Sequence, residues 1–274
     1  MKVRIKFQKF GTMKFVGHLD VMRYFQKALR RCEYDSEYTK GYNPHQIMSF
    51  AAPLGVGLTS DSEYVDIQLL TSEAPEVMIQ RLNAAMTEGC NIIDFHPLVD
   101  REEHQKAVTA MSLVTTADYL VSLKDGYSIK DAIRTQKEFA EEFRKFMDQA
   151  EILIDKKTKK SEKVVDIKPL VHFVDFDETL FEGKCQTTRI ESQEDIDLNI
   201  KTASVAEVYH NGIKVFLQID TGSASNLKPE LILEAFYNYI GATFHIFAWQ
   251  VHRLEVYTKD DESGKLAALN QVDR

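Results

Sequence analysis

Histidine and acidic residues in the first fifty positions offer the chemistry of proton transfer. His18 and Asp20 belong to the motif Gly17-His18-Leu19-Asp20-Val21-Met22-Arg23, and His45 ends the motif Lys40-Gly41-Tyr42-Asn43-Pro44-His45. A histidine gains and loses a proton near pH 7, so a His18 and His45 pair assisted by Asp20 could cleave RNA through a 2′-hydroxyl. His18 could equally be a helix cap or a core residue, and spacing alone leaves these alternatives open.

Basic residues are concentrated around the same two motifs. Residues 1–50 contain ten Lys and Arg against four Asp and Glu, a net charge of +6, in a chain of net charge -8, so the other 224 residues sum to -14. This asymmetry indicates a site for phosphate or another anion. An ordinary solvated helix face is the alternative. The cations that we expect to hold an RNA backbone are Arg23, Lys27, Arg30, Arg31 and Lys40.

The second motif predicts a rigid loop with polar groups at its surface. Gly41 permits backbone conformations closed to other residues, and Pro44 restricts the turn. Tyr42 could stack on a base of single-stranded RNA. We interpret Tyr42, Asn43 and His45, together with His18 and Asp20, as residues that read or position a target, and an ordinary turn is the alternative for this loop.

A third polar segment, residues 221–230, leads into a predicted helix. It has the sequence Thr-Gly-Ser-Ala-Ser-Asn-Leu-Lys-Pro-Glu, with Pro229 in the first helical turn. The free N–H groups of a helix start favour anions, which predicts a second anion contact, although a capped helix without a ligand has the same pattern. The candidate binding residues here are Gly222, Ser223, Asn226 and Lys228.

The cysteines and histidines do not have the spacing of a metal or redox site. Cys32, Cys90 and Cys185 are far apart, so we expect three buried, apolar thiols. The eight histidines include neither H-x-x-x-H nor H-E-x-x-H. We therefore expect no metal and no cofactor in this chain.

The first hundred residues have the pattern of a β-α-β-β-α-β unit. Val3, Ile5 and Phe7 alternate with polar residues, which predicts a half-buried strand ending near Gly11. A helix from about His18 to Cys32 should follow, with an apolar face of Leu19, Met22, Phe25 or Gln26, and Leu29 and a basic face elsewhere. The remaining predicted elements are strands at 48–50 and 64–69, a glycine-containing loop at 53–62, a helix from Pro75 to about Gly89 and a strand at 91–95.

The same order recurs, with insertions, after a predicted linker at 101–109. It comprises strands at 112–123, 151–154, 163–176, 213–219 and 244–257, and helices at 129–149 and 231–239. Residues 156–161 should form a solvated hairpin tip, and Asn211-Gly212 suits a type I′ hairpin turn. We predict an α+β protein of two tandem ferredoxin-like (split βαβ) domains with antiparallel sheets. The domains span residues 1–100 and 110–258, and a frayed polar tail spans 259–274.

No run of apolar residues reaches the 18 or so that a membrane helix needs, and the start alternates like a strand instead of resembling a signal peptide. We expect a cytoplasmic protein without membrane contact.

Taken together, the motifs resemble a known family. The residues that carry the resemblance, over residues 1 to about 255, are 17–23, 28–31, 41–45, 49–50, 53–57, 222–223 and 226–230. They are similar to the radical SAM-associated (radical SAM-linked) bacterial domains of unknown function. Members are often fused to a radical SAM protein, some with a cobalamin-type domain, or encoded beside one and near an RNase of the E/G type. The chain lacks the C-x-x-x-C-x-x-C run that binds a [4Fe-4S] cluster, so the resemblance implies a stand-alone form that needs its partner in trans.

These observations predict a function. The chain should be an accessory protein that binds RNA, such as tRNA, presents it to a separate radical SAM enzyme for modification, and has no activity of its own. Two alternatives stay open, a metal-independent RNA-processing enzyme that uses His18 and His45, and a protein-interaction module that docks the radical SAM partner. The oligomeric state is not predicted.

Overall fold

The computed structural model of the chain describes residues 1–99, 108–157, 162–190, 203–260 and 262–273. Within these ranges the protein is a mixed α+β structure with six α-helices and a large, mostly antiparallel sheet. The strands are β1 Lys2–Lys9, β2 Met48–Phe50, β3 Thr59–Gln68, β4 Cys90–Pro97, β5 Thr116–Leu123, β6 Leu153–Lys157, β7 Glu162–Asp166, β8 Val171–Asp175, β9 Lys214–Asp220, β10 Trp249–Lys259 and β11 Leu266–Ala268. The helices are α1 His18–Arg31, α2 Pro75–Ala85, α3 Ala110–Leu113, α4 Gln136–Met147, α5 Glu178–Gln186 and α6 Pro229–Tyr239.

Nine strands of the described part of the chain form one continuous sheet. Its order is β4-β1-β3-β10-β5-β9-β8, with β2 paired to β3 and β11 paired to β10, while β6 and β7 form a separate hairpin. The two parts of the sheet meet where β3 and β10 pair in parallel, with His252 opposite Thr59 and Arg253 opposite Ser60. Strands β3 and β10, from opposite ends of the chain, therefore lie side by side in the middle of one sheet.

The helices pack on this sheet through two main hydrophobic clusters. The N-terminal cluster holds α1 and α2 against β1, β3 and β4, and the C-terminal cluster holds α4 and α6 against β5, β9 and β10. In α1 the buried residues are Val21, Phe25, Ala28 and Leu29. The prediction that Leu19 belongs to the apolar face is wrong, because its side chain is 61% exposed and Val21 occupies the buried position.

Strand β1 is buried on both faces, so the prediction of a half-buried strand is wrong. Arg4 is fully buried; its Nε donates to Asp66 Oδ1 at 2.8 Å and its Nη1 donates to the carbonyl oxygen of Leu269 at 2.7 Å. The C-terminal segment covers this second face. The predicted frayed tail is also wrong, since β11 pairs with β10 and Leu269 is fully buried.

Several predicted boundaries move for local reasons. The strand predicted from residue 112 begins at Thr116, because α3 precedes it. The helix predicted from Ile129 begins at Gln136 after a capping box formed by Thr135 and Glu138, although Ile129 and Ile133 are buried ahead of it. The strand predicted from residue 244 begins at Trp249 after a short 3-10 helix. The predicted linker at 101–109 and hairpin tip at 156–161 lie largely outside the described residues.

The turn at Asn211-Gly212 does not form the predicted type I′ hairpin. Gly212 has φ +67°, but Asn211 is not in the left-handed region, whereas a type I′ turn needs a positive φ at both residues. Asn211 is held instead by Asp125, whose carboxylate accepts from its backbone N–H at 3.1 Å and its side-chain amide at 2.9 Å. Strand β9 pairs with β5 and β8 and not with a preceding neighbour in residues 203–213.

Candidate functional site

The cations predicted on the first helix all face solvent. Arg23, Lys27, Arg30 and Arg31 are exposed, because the opposite face of α1 is anchored in the N-terminal cluster. Arg23 Nη1 donates to Asp20 Oδ1 at 2.9 Å within the helix, and Arg31 Nη2 donates to the carbonyl oxygen of Ala85 at 2.6 Å. The helix therefore presents a continuous basic face, whose Arg23 charge is partly shared with Asp20.

The Gly41 to His45 segment forms an exposed loop that is closed at its base. The backbone N–H of Thr39 donates to the carbonyl oxygen of His45 at 2.9 Å, and Thr39 Oγ1 lies 3.1 Å from His45 Nδ1. Gly41 has φ +127°, a conformation that favours glycine. Lys40, Tyr42, Asn43 and Pro44 are exposed, and Tyr42 is completely so. The loop holds its polar and aromatic side chains outward, as the sequence predicts.

His18 lies in a different environment from His45. Its ring packs edge-on against Phe50, with 5.1 Å between ring centroids, and burial lowers the pKa of His18. It lines a small cavity of about 20 Å³ with Lys9 and Glu63. The N-cap of α1 is Gly17, so His18 does not have the capping role considered from the sequence. Among the described contacts none joins His18 to His45, and their action as a proton-transfer pair stays a prediction.

A larger cavity of about 370 Å³ lies where the N-terminal loop after β2 meets the segment before α6. Pro53 and Gly55 line one side of it, and Tyr119 of β5 and Arg253 of β10 also contribute. The four residues predicted as a second anion contact line another side, namely Gly222, Ser223, Asn226 and Lys228. This cavity, called the seam cavity below, brings together two sequence motifs that are about 170 residues apart.

Arg253 is the buried cation of the seam cavity, with 5% of its surface exposed. Its Nη1 donates to the carbonyl oxygen of Ala52 at 2.7 Å and to Glu63 Oε1 and Oε2 at 2.9 and 3.1 Å, and its Nε donates to Tyr119 Oη at 3.3 Å. Burial raises the pKa of Glu63, and the charge of Arg253 opposes that rise. The ion pair between Arg253 and Glu63 joins β10 to β3 in the middle of the sheet.

The sequence motifs did not predict that Arg253, Glu63 and Tyr119 belong to a candidate site. The available signal was a charged residue inside the predicted strand at 244–257, at position 253, and another just ahead of the strand at 64–69. A buried charge needs a partner, but the sequence does not show which residue supplies it.

Lys9 is a further buried cation beside this pair. It is 3% exposed, and burial lowers its pKa while the nearby Glu63 carboxylate raises it. Because Lys9 and Glu63 line the small cavity at His18 and Arg253 lines the seam cavity, the polar residues of both cavities form one electrostatic cluster.

Close packing explains the glycine of the third segment. A Cβ atom on Gly222 would lie 2.3 Å from the carbonyl oxygen of Val114, so no larger residue fits without movement. The chain then turns through a bridge between Thr221 and Asn226, and α6 begins at Pro229 with Lys228 as an N-cap that gives no side-chain hydrogen bond. The first turn of α6 therefore lacks a side-chain cap where it lines the cavity.

The prediction that Cys32, Cys90 and Cys185 are buried thiols is confirmed, and all three are free cysteines. In the described ranges, no helix is both long enough and apolar enough to cross a membrane.

A family model described as "Uncharacterized protein conserved in bacteria (DUF2344)" matches residues 2–229. The chain belongs to this DUF2344 family. The matched region includes the basic helix, the exposed loop and the third polar segment, while Arg253 of the seam cavity lies beyond it. No curated protein matches the chain.

Proposed function

We propose that this DUF2344 protein is an accessory RNA-binding protein that works in the cytoplasm with a separate radical SAM enzyme. The observation that carries the proposal is the basic face of α1, where Arg23, Lys27, Arg30 and Arg31 are all exposed. Lys27, Arg30 and Lys40 have no ion-pair partner among the described residues, so their charge is available to phosphates. Each phosphate contact adds salt-dependent affinity.

The exposed loop supplies the second element of the proposed surface. Tyr42 offers a solvent-exposed ring, and Asn43 and His45 offer donors and acceptors for base edges. Lys40 at the start of the loop adds a cation. In this proposal the helix holds the RNA backbone and the loop positions the nucleotide that the partner enzyme modifies.

We also propose that the chain consists of two ferredoxin-like units in tandem. The order β4-β1-β3-β2 in the N-terminal part and the order β10-β5-β9-β8 in the C-terminal part support this interpretation. Both orders are those of a split βαβ unit, with β6, β7 and α5 as insertions in the second. The fold by itself does not assign a function, so the RNA proposal depends on the surface.

The proposed partner follows from the motif resemblance and from the cysteines. The three thiols are buried at separate places, so this chain does not supply the ligands of a [4Fe-4S] cluster from the described residues. Radical chemistry on the bound RNA would be performed by the second protein.

Fluorescence titration of the full chain with labelled total tRNA, at about 50 and about 200 mM salt, tests the proposal. We expect saturable binding that weakens at the higher salt concentration. The double variant Arg23→Glu with Arg30→Glu should bind at least tenfold more weakly. Its matched control is Lys137→Glu with Lys145→Glu, which reverses two exposed charges on α4 and should bind like the wild type. Absence of binding, or equal loss in both double variants, would reject the RNA proposal.

A second candidate function is docking of the radical SAM partner through the exposed loop. The observation that favours it is the complete exposure of Tyr42, since aromatic residues are enriched at protein interfaces. Co-purification of a radical SAM enzyme that survives nuclease treatment and is lost in Asn43→Ala or Tyr42→Ala would support docking over RNA binding. Co-purification that is abolished by nuclease would support the RNA proposal instead.

A further inference from the structure

The seam cavity has a polar base and largely apolar walls. Leu58, Val114 and Leu227 contribute apolar surface, whereas Arg253 and Tyr119 contribute buried polar groups. Its volume of about 370 Å³ lies within the usual size range of small-molecule sites. A ligand for this cavity needs an apolar body and one polar end.

The three nitrogens of the Arg253 guanidinium differ in the number of hydrogen bonds that they donate. Its Nη1 has three acceptors, the carbonyl oxygen of Ala52 and both carboxylate oxygens of Glu63, and its Nε donates to Tyr119 Oη. Its Nη2 donates in none of the described hydrogen bonds and is not among the enclosed polar atoms without a partner. Arg253 lines the cavity and is more than nine-tenths buried, so it keeps one donor nitrogen without a described protein acceptor.

Other donors face the same space. No side chain caps the first turn of α6, which lines the cavity at Pro229 and Glu230, and a helix N-terminus carries partial positive charge. The exposed ammonium of Lys228 stands at the rim. The α6 N-terminus and Lys228, like Arg253, favour the binding of an anion in the cavity.

The charge balance limits the anion to a single negative charge. Glu63 already neutralises much of the charge of Arg253, and the carboxylate of Glu230 lies in the lining near Lys228. A phosphate dianion would be repelled by both carboxylates, whereas a carboxylate can accept from the planar guanidinium with less repulsion.

We infer that the seam cavity binds a small monocarboxylate with a compact apolar or planar body, in which the carboxylate accepts from Arg253 Nη2 and the body lies against Leu58 and Val114. This site is separate from the basic face of α1, and the inference does not depend on the proposed RNA binding.

Isothermal titration calorimetry of the full chain tests this with acetate, benzoate and indole-3-acetate, and with benzamide as the neutral isostere of benzoate. Benzoate should bind saturably, and benzamide should bind at least tenfold more weakly than benzoate. Absence of saturable benzoate binding, or equal binding of benzoate and benzamide, would overturn the inference, and acetate and indole-3-acetate then report the size of body that the cavity accepts.

Two neighbouring exposed positions give a matched test of location. Ser223 lines the cavity and Ala224 does not. Ser223→Trp should fill the entrance and weaken carboxylate binding at least tenfold, while Ala224→Trp should bind like the wild type. Circular dichroism checks that both variants are folded. Binding that is unchanged in Ser223→Trp would place the ligand elsewhere and overturn the inference.

Arg253→Lys tests the guanidinium while keeping a cation beside Glu63, and should also weaken binding at least tenfold. The Arg23→Glu with Arg30→Glu variant should keep its carboxylate affinity. If the wild-type chain binds benzoate but no tRNA, only the RNA proposal fails. If it binds tRNA but no carboxylate, only the inference about the seam cavity fails.

Discussion

Asp118 is buried in the middle of β5 and has three side-chain partners. Gln218 Nε2 donates to its Oδ1 at 2.9 Å, Tyr257 Oη donates to its Oδ2 at 2.9 Å, and Arg189 forms an ion pair with it. Burial raises the pKa of Asp118 to about 6, although the Arg189 charge opposes the rise. Removal of the carboxylate from water therefore outweighs its pairing.

This pKa gives a stability change with a defined sign. Because the pKa of Asp118 is about 6 in the folded chain and near 3.8 in the unfolded chain, the folded state binds more protons between about pH 4 and about pH 6. The free energy of unfolding of the wild type, measured relative to Asp118→Asn, should fall by up to about 3 kcal/mol as pH rises through that window, and should then stay level.

Urea denaturation of both proteins at several pH values measures this difference. Asp131→Asn, a change at a fully exposed carboxylate, is the control and should follow the wild type across the window. A constant difference between the wild type and Asp118→Asn would show that Asp118 does not titrate there.

Among the secondary-structure elements, two glycines differ in how closely their surroundings pack against them. Gly222 lies against the backbone before β5, where an added Cβ would approach the carbonyl oxygen of Val114 to 2.3 Å. Gly183 lies inside α5, where such a Cβ would have no described atom within 4 Å apart from its chain neighbours and the backbone of its own helix. The first glycine is required by packing, and the second only weakens a helix.

Alanine substitutions should therefore shift stability in opposite directions. Gly222→Ala should lower the free energy of unfolding by about 1 to 3 kcal/mol, because the 221–230 segment must move away from Val114. Gly183→Ala should raise it by about 0.5 to 1 kcal/mol through helix propensity. Chemical denaturation measures both free energies of unfolding. A Gly222→Ala protein as stable as the wild type would contradict the close approach of Gly222 to the carbonyl oxygen of Val114.

The elements that the sequence predicts well are those with strong local signals. Pro75 and Pro229 begin α2 and α6, and the cations of α1 are exposed as expected. The failures occur where a neighbouring segment decides burial. Leu19 has helical spacing with Met22 but lies at the solvent-exposed start of α1, and Ile129 has helical spacing with the residues of α4 but lies in an irregular segment ahead of it.

At the scale of the whole molecule, the C-terminal segment is part of the fold. The carbonyl oxygen of Leu269 accepts from Arg4, its side chain is fully buried, and β11 extends the sheet beside β10. The last residues therefore stabilise the first strand.

Deletion of residues 266–274 should lower the free energy of unfolding by about 3 to 6 kcal/mol, because it exposes apolar surface and removes an acceptor from the buried Arg4. The single change Leu269→Ala should cost about 2 to 5 kcal/mol. Leu70→Ala, at a leucine that is 61% exposed, is the control and should cost no more than about 0.5 kcal/mol. Denaturation curves that coincide for the full and shortened chains would contradict this role.

Three features were predictable from local sequence signals: the order of the strands and helices from β1 to β4, the exposed basic face of α1 and the polar loop at Gly41 to His45. Those properties depend on periodicity, turn residues and charge, which are local. Three other features depend on contacts between distant segments: the pairing of β3 with β10, the contact of Glu63 with Arg253 from 190 positions away, and the cavity enclosed by the loop after β2 and the segment at 221–230. Periodicity shows which side of a strand is apolar, but its partner strand is chosen by hydrogen bonds and packing between segments that are far apart in the chain.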